Sequence, residues 1–217
     1  MTVYGSGRSS RGMSELPVVV AMTGATGAIY GIRLLQALRH SGVETHLVVS
    51  RWAEATILAE TSWKPAAVRA LADHVWDEDD LDAPPSSGSL LTRGMLVAPC
   101  SMKSLAAIAH GITENLIHRA AEVTMKEHRA LLLLVRESPL SVIHLENMLR
   151  VAKAGALVVP PVPAFYARPQ TIEEIVDHTV GRMLDHVGVE HGLVRRWGER
   201  RRTRWSPRVG GGGSEAG

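Results

Sequence analysis

Apolar residues fall along this chain in short unbroken runs, and the stretches between them carry helical periodicity. Five runs read as strands buried on both faces: residues 18–22, 46–49, 95–98, 131–135 and 156–159. Between them, Ile29, Ile32, Leu35 and Leu38 lie on one helical face, as do Leu116, Ala120, Val123 and Met125. Ser141 stands as an N-cap before a run holding Ile143, Met148 and Val151. Thr171-Ile172-Glu173-Glu174 reads as a capping box opening a helix to about Asp185. Strand and helix alternate, which predicts an α/β fold, a three-layer doubly wound parallel sheet of the Rossmann-like or flavodoxin-like kind. Residues 77–89, with Pro84-Pro85-Ser86-Ser87-Gly88-Ser89, read as a loop before the third strand.

Composition narrows the class. The chain has 217 residues, 45% of them apolar, enough for one domain with a sizeable core. We expect residues 1–15 to be a flexible leader, 16–194 the single domain, and 195–217 a basic tail ending in the Gly-rich segment 210–213. Lys and Arg number 24 against 22 Asp and Glu, a formal charge of +2. Seven of the arginines lie in residues 195–217 beside only Glu199 and Glu215. Residues 1–194 therefore hold 17 basic and 20 acidic side chains, a net of −3, and the chain is not read as nucleic-acid binding. Cys100 is the only cysteine, so no intrachain disulfide forms. No apolar run approaches the roughly 18 residues of a membrane span, and the N-terminus has no apolar signal core; a soluble cytoplasmic protein is expected.

Candidate chemistry gathers where strands end. The first strand runs into Thr23-Gly24-Ala25-Thr26-Gly27-Ala28 and then a helix, a place where backbone N–H groups and hydroxyls can meet a phosphate. The ordinary explanation is a tight turn. The G-x-G-x-x-G and Walker patterns are both missing, and the second strand ends in Ser50-Arg51 rather than in an acid for ribose hydroxyls, which favours a mononucleotide such as FMN over NAD. Pro99-Cys100-Ser101-Met102-Lys103-Ser104 makes a second hydroxyl-rich turn, so Thr26, Ser50, Ser101 and Ser104 should ring one crevice. Arg119 and Lys126, seven apart, share a helix face and could hold an anion from two sides; a solvated basic stripe is the alternative. Arg136-Glu137 follows the fourth strand, where an arginine can grip a phosphate and a carboxyl can move a proton, or the two can simply pair. Phe165-Tyr166 sits in a proline-rich loop, Arg182 in the last helix, and Trp197 in the tail. The acidic run 77–82 reads as solvated, His144-Leu145-Glu146 lacks the P-C-x-x-C of a deaminase, and no metal site is expected.

Taken together, MTGATGAIYGIRLL (22–35), Ser50, PCS (99–101), NLIHRAAEVTMKEHR (115–129), VRESPLSVIHLENML (135–149), FYARPQ (165–170) and RWGE (196–199) resemble the flavin prenyltransferase family, the UbiX type, over roughly residues 17–200. The family is also described as the B subunit of phenolic acid decarboxylases, within the homo-oligomeric flavin-containing decarboxylase superfamily. The resemblance implies metal-independent transfer of a dimethylallyl group from dimethylallyl monophosphate to N5 and C6 of reduced FMN, in a homododecamer. The product, prenylated FMN, would serve a UbiD-type decarboxylase; neither nucleic acid nor membrane is an implied partner. By motif, Gly24, Ala25, Thr26, Ser50, Ser101, Met102, Lys103, Ser104 and Arg119 would bind FMN. Lys126, Arg136, Glu137, Tyr166, Arg182 and Trp197 would meet the prenyl phosphate, partly from neighbouring subunits, with Glu137, Lys126 and Thr26 in catalytic roles. An FMN-dependent cysteine decarboxylase is the nearest alternative, but it expects P-x-M-N-x-x-M-W where residues 160–169 read PPVPAFYARP. A non-catalytic FMN carrier would leave the second cationic set unexplained.

Overall fold

Six parallel strands make one sheet: β1 (Val18–Met22), β2 (Thr45–Val49), β3 (His74–Trp76), β4 (Gly94–Cys100), β5 (Ala130–Val135) and β6 (Leu157–Val158). Their order is β3-β2-β1-β4-β5-β6. The computed structural model of the chain describes Gly12 and residues 15–194. The expected tail, including Trp197, and most of the expected leader lie outside the described residues. Five strands match the apolar runs; the sixth, β3, is a correction. His74-Val75-Trp76 carries no apolar run because it sits at the sheet edge, with His74 and Val75 exposed. At the other edge, the run 156–159 contributes only the two residues of β6.

Helices α1 (Ala28–His40), α2 (Arg51–Glu60), α3 (Pro65–Arg69), α4 (Met102–His110), α5 (Leu116–Lys126), α6 (Val142–Lys153) and α7 (Ile172–His186) cover both faces. Alternate strand residues serve the two sides. Val18, Val20 and Met22 pack with Ile32 and Leu35 of α1 and Val180 and Leu184 of α7, while Val19 and Ala21 pack with Leu105 of α4, Ala120 of α5 and Val151 of α6. This is the three-layer arrangement that the alternation predicts. Gly31 lets α1 lie close: a Cβ there would run into the Ala98 carbonyl oxygen.

Helix starts follow local chemistry. Ser50, Ser101, Asn115, Ser141 and Thr171 each accept an N–H in the first turn of the helix they precede. The reciprocal capping box is at Ser141, where the His144 ring returns to the Ser141 N–H. At Thr171 only half of it forms, because the Glu174 carboxylate takes the Gln170 N–H instead, at 2.6 Å.

β1 pairs with β2 on one side and with β4 on the other. Chain order therefore reverses across β1, which makes the carboxyl ends of β1 and β4 the switch point beside which such sheets hold ligands.

Candidate functional site

Three turns meet at that edge. Thr23, 2% exposed, ties two of them together: its hydroxyl donates to the Pro99 carbonyl at 2.9 Å and accepts the Ser101 N–H at 2.7 Å. Gly24 follows, and a Cβ there would collide with the Cβ of Trp52, so the close approach of α2 requires glycine. Gly27 turns the chain with φ 104° before α1. The N–H groups of Gly27 and Ala28 donate to Glu60 Oε2 at 2.8 and 3.1 Å. The first anion at the start of α1 is thus the chain's own carboxylate, and the Arg51 N–H of α2 likewise reaches Glu78 Oε1 at 2.7 Å. Neither carboxylate is visible as a partner in the sequence, since each comes from a distant segment. The first turn of α4 contains no acidic residue.

At α4, Ser101 Oγ accepts the Ser104 N–H and donates to Ser104 Oγ, both at 3.2 Å. Met102 is half-buried, whereas Lys103 is exposed and lies 3.8 Å from Glu114. Ser104 in turn faces His118 Nε2 at 3.3 Å. His118 is a residue that motif reading passed over beside Arg119. Burial, and then the positive charge of Lys103, hold its pKa below the ordinary histidine value. The hydroxyls of Thr26, Ser50, Ser101 and Ser104 and the acid-free start of α4 fit a phosphorylated flavin, which needs donors for its phosphate.

The cations divide into groups. Arg119 donates to Glu122 at 2.6 Å and to the Ser86 carbonyl at 3.2 Å. Lys126 pairs with Glu127 at 2.6 Å. α5 starts beside Glu78, which also reaches the start of α2, and it ends just before β5 begins. Lys126 is therefore about 15 Å of helix rise below Leu116, at the edge where strands start. Arg119 and Lys126 are about 10 Å of helix rise apart, and each is paired with its own glutamate. Arg136 and Glu137 stand exposed beyond β5, at the crevice edge; they do not pair with each other, and Glu137 Oε1 accepts the Ser138 N–H at 2.9 Å. Tyr166 and Arg182 come together through a residue that sequence reasoning missed. The Tyr166 hydroxyl is 3.1 Å from His178 Nε2, and His178 precedes Arg182 by one turn of α7. Burial first, and then Arg182, lower the His178 pKa. The His178–Arg182 spacing of four was the available signal. Arg182 also donates to Asp185 at 3.4 Å.

Among the described residues, one histidine cluster lies elsewhere. Glu44, His46 and His74 gather where β2 and β3 begin, although the sequence offered no metal-ligand spacing. The Trp76 indole N–H donates to His46 Nδ1 at 3.1 Å, which puts the hydrogen of the neutral ring on Nε2, facing Glu44. A ligating imidazole has the opposite polarity, donating through its second nitrogen, so these groups read as a hydrogen-bonded stack.

Comparison with known proteins agrees with the geometry. The Flavoprotein family model matches residues 6–184. The chain is 54% identical over 187 residues to a probable UbiX-like flavin prenyltransferase of Bacillus subtilis (strain 168), covering 86% of this chain and 92% of the relative. It is similar, with TM-score 0.83 and 54% identity, to the crystal structure of AnUbiX in complex with FMN and dimethylallyl pyrophosphate, over 88% of this chain and 100% of that one. A dodecameric FMN-dependent UbiX-like decarboxylase from Escherichia coli O157:H7 matches with TM-score 0.82 and 53% identity over 84% of this chain and 99% of its own.

Proposed function

The chain belongs to the UbiX-like flavin prenyltransferase family, and from that membership we propose that it transfers the dimethylallyl group of dimethylallyl monophosphate to reduced FMN, giving prenylated FMN. The observation that carries this reading is Arg136 beside Glu137, exposed and unpaired with each other at the same sheet edge as the serine turns. FMN alone needs one phosphate site, whereas this edge offers a second cation and a carboxyl after the hydroxyl set is used.

Bound FMN supplies the nucleophilic N5 and C6 positions. Gly24, Ala25, Thr26, Ser50, the 101–104 turn and Arg119 hold it. Arg136 grips the departing phosphate, and guanidinium and ammonium groups stabilise the charge that grows there, so the reading requires no metal. Glu137 gives or takes a proton at a phosphate oxygen. Aromatic faces at Tyr166 and Trp197 stabilise positive character on the allyl group. The position of Lys126 at the opposite sheet edge and of Arg182 on the flank of α7 supports their delivery by neighbouring copies, in a dodecamer like that of the Escherichia coli relative. The product goes to a UbiD-type decarboxylase. A cytoplasmic setting is part of the same reading; among the described residues no helix is long and apolar enough to cross a membrane.

The test is anaerobic incubation of the protein with reduced FMN and dimethylallyl monophosphate, with the pyrophosphate in parallel, followed by mass analysis of the flavin. The expected product is heavier by one prenyl unit. Tight FMN binding with no gain in mass would replace this reading by a carrier role.

A further inference from the structure

His118 is 2% exposed, and its Nδ1 has no hydrogen-bond partner among the described residues. Only Nε2 is engaged, with the Ser104 hydroxyl at 3.3 Å. Burial holds the ring below the ordinary histidine pKa, so at neutral pH it is uncharged and carries a single hydrogen.

The position of that hydrogen decides what the neighbouring turn can offer. With the hydrogen on Nδ1, a donor is buried with nothing to accept it, and Nε2 takes the Ser104 hydrogen. The Ser101 hydrogen already goes to Ser104 Oγ. Both serine hydrogens then point inward, and the two hydroxyls offer an incoming phosphate or carbonyl oxygen only lone pairs. With the hydrogen on Nε2, Ser104 Oγ accepts twice, from Ser101 and from His118. Its own hydrogen is left for a third group, and beside the crevice that group is the ligand. An acceptor-rich ligand and the cost of an orphaned buried N–H favour the same tautomer.

We propose that His118 is a positioning residue: its Nε2–H tautomer turns the Ser101–Ser104 hydroxyl pair so that one hydrogen is donated to an acceptor oxygen of bound FMN. This inference rests on the flavin reading above. It concerns binding rather than transfer, and it acts through Ser104.

The experiment is titration of the full chain with FMN in the dark, without prenyl donor, followed by flavin fluorescence. His118→Leu is expected to weaken binding about tenfold, the effect of losing the one neutral hydrogen bond that orients the Ser104 hydroxyl. His118→Gln, whose amide can donate to Ser104, should stay within about threefold of the unaltered protein. In a Ser104→Ala background, His118→Leu should cause little further loss. Equal weakening by Leu and Gln, or a full His118→Leu effect without the Ser104 hydroxyl, would mean a packing role and overturn the proposal. If the Leu variant does not fold, His118→Met supplies the apolar comparison. FMN binding by the unaltered protein with no effect of either substitution removes His118 alone. Failure of the unaltered protein to bind FMN overturns the flavin reading itself, and this inference with it.

Discussion

Thr23 fixes two turns with one hydroxyl, reaching Pro99 and Ser101 across 76 and 78 residues of chain. Thr23→Val keeps the shape and leaves the Ser101 N–H without that partner. A loss of about 1–3 kcal/mol is expected, read as a lower urea midpoint with unchanged slope, together with weaker FMN binding. An unchanged midpoint would mean that the turn holds its geometry without Thr23. The same contrast explains what single residues disclose in a sequence. Gly24, Ser50 and Ser101 are legible because a tight turn or an N-cap is a local requirement that the residue type itself announces. Thr23, Glu60 and His118 act on partners 78, 33 and 14 positions away, and nothing in their immediate neighbours records it.

Among the elements, α6 is the one whose burial and composition disagree. Of its twelve residues only Asn147 and Val151 are buried, while Val142, Ile143, Leu145 and Leu149 are 69%, 68%, 51% and 55% exposed. Its periodicity was readable as a helix, but the sequence could not say that a second apolar stripe faces away from the sheet. A face of this kind suits contact with another copy. Ile143→Glu should therefore yield smaller assemblies by size exclusion with light scattering, with the helical circular dichroism retained; assembly of unchanged size would remove α6 from the contact. The strands show the opposite limit. β1, β2, β4 and β5 are central and announce themselves by continuous apolar runs, whereas β3 is an edge strand built from two polar-capable rings and a valine. Its place is set by pairing with β2 and by the stacked His46, His74 and Trp76, which are tertiary facts.

At the scale of the whole molecule, the alternation of elements specified the three layers and the crevice, while the charge count concealed how the cations are distributed. Buried histidines give the fold a pH dependence. Burial lowers the pKa of both His46, where His74 adds to the effect, and His118. Near and below pH 6.5 the unfolded chain takes up protons that the folded chain refuses, so stability falls with falling pH and levels off once the folded rings protonate. Urea denaturation across pH 5–8 should show this slope, and His46→Gln should flatten it; an identical slope in the variant would exclude His46 as its source. The position of Lys126 has a further consequence. In the proposed reading Lys126, at the edge where strands begin, serves the crevice of a neighbouring copy, so that each contact between copies carries part of a site. No reacting centre is then the property of one polypeptide. Lys126→Ala and Glu137→Gln should each be inactive as pure assemblies, yet mixed and reassembled subunits should recover about a quarter of the activity, because random mixing gives that share of centres one intact donor from each parent. Heritable defects at these two positions would therefore complement each other inside a single particle, and no recovery on mixing would return Lys126 to the chain that carries it.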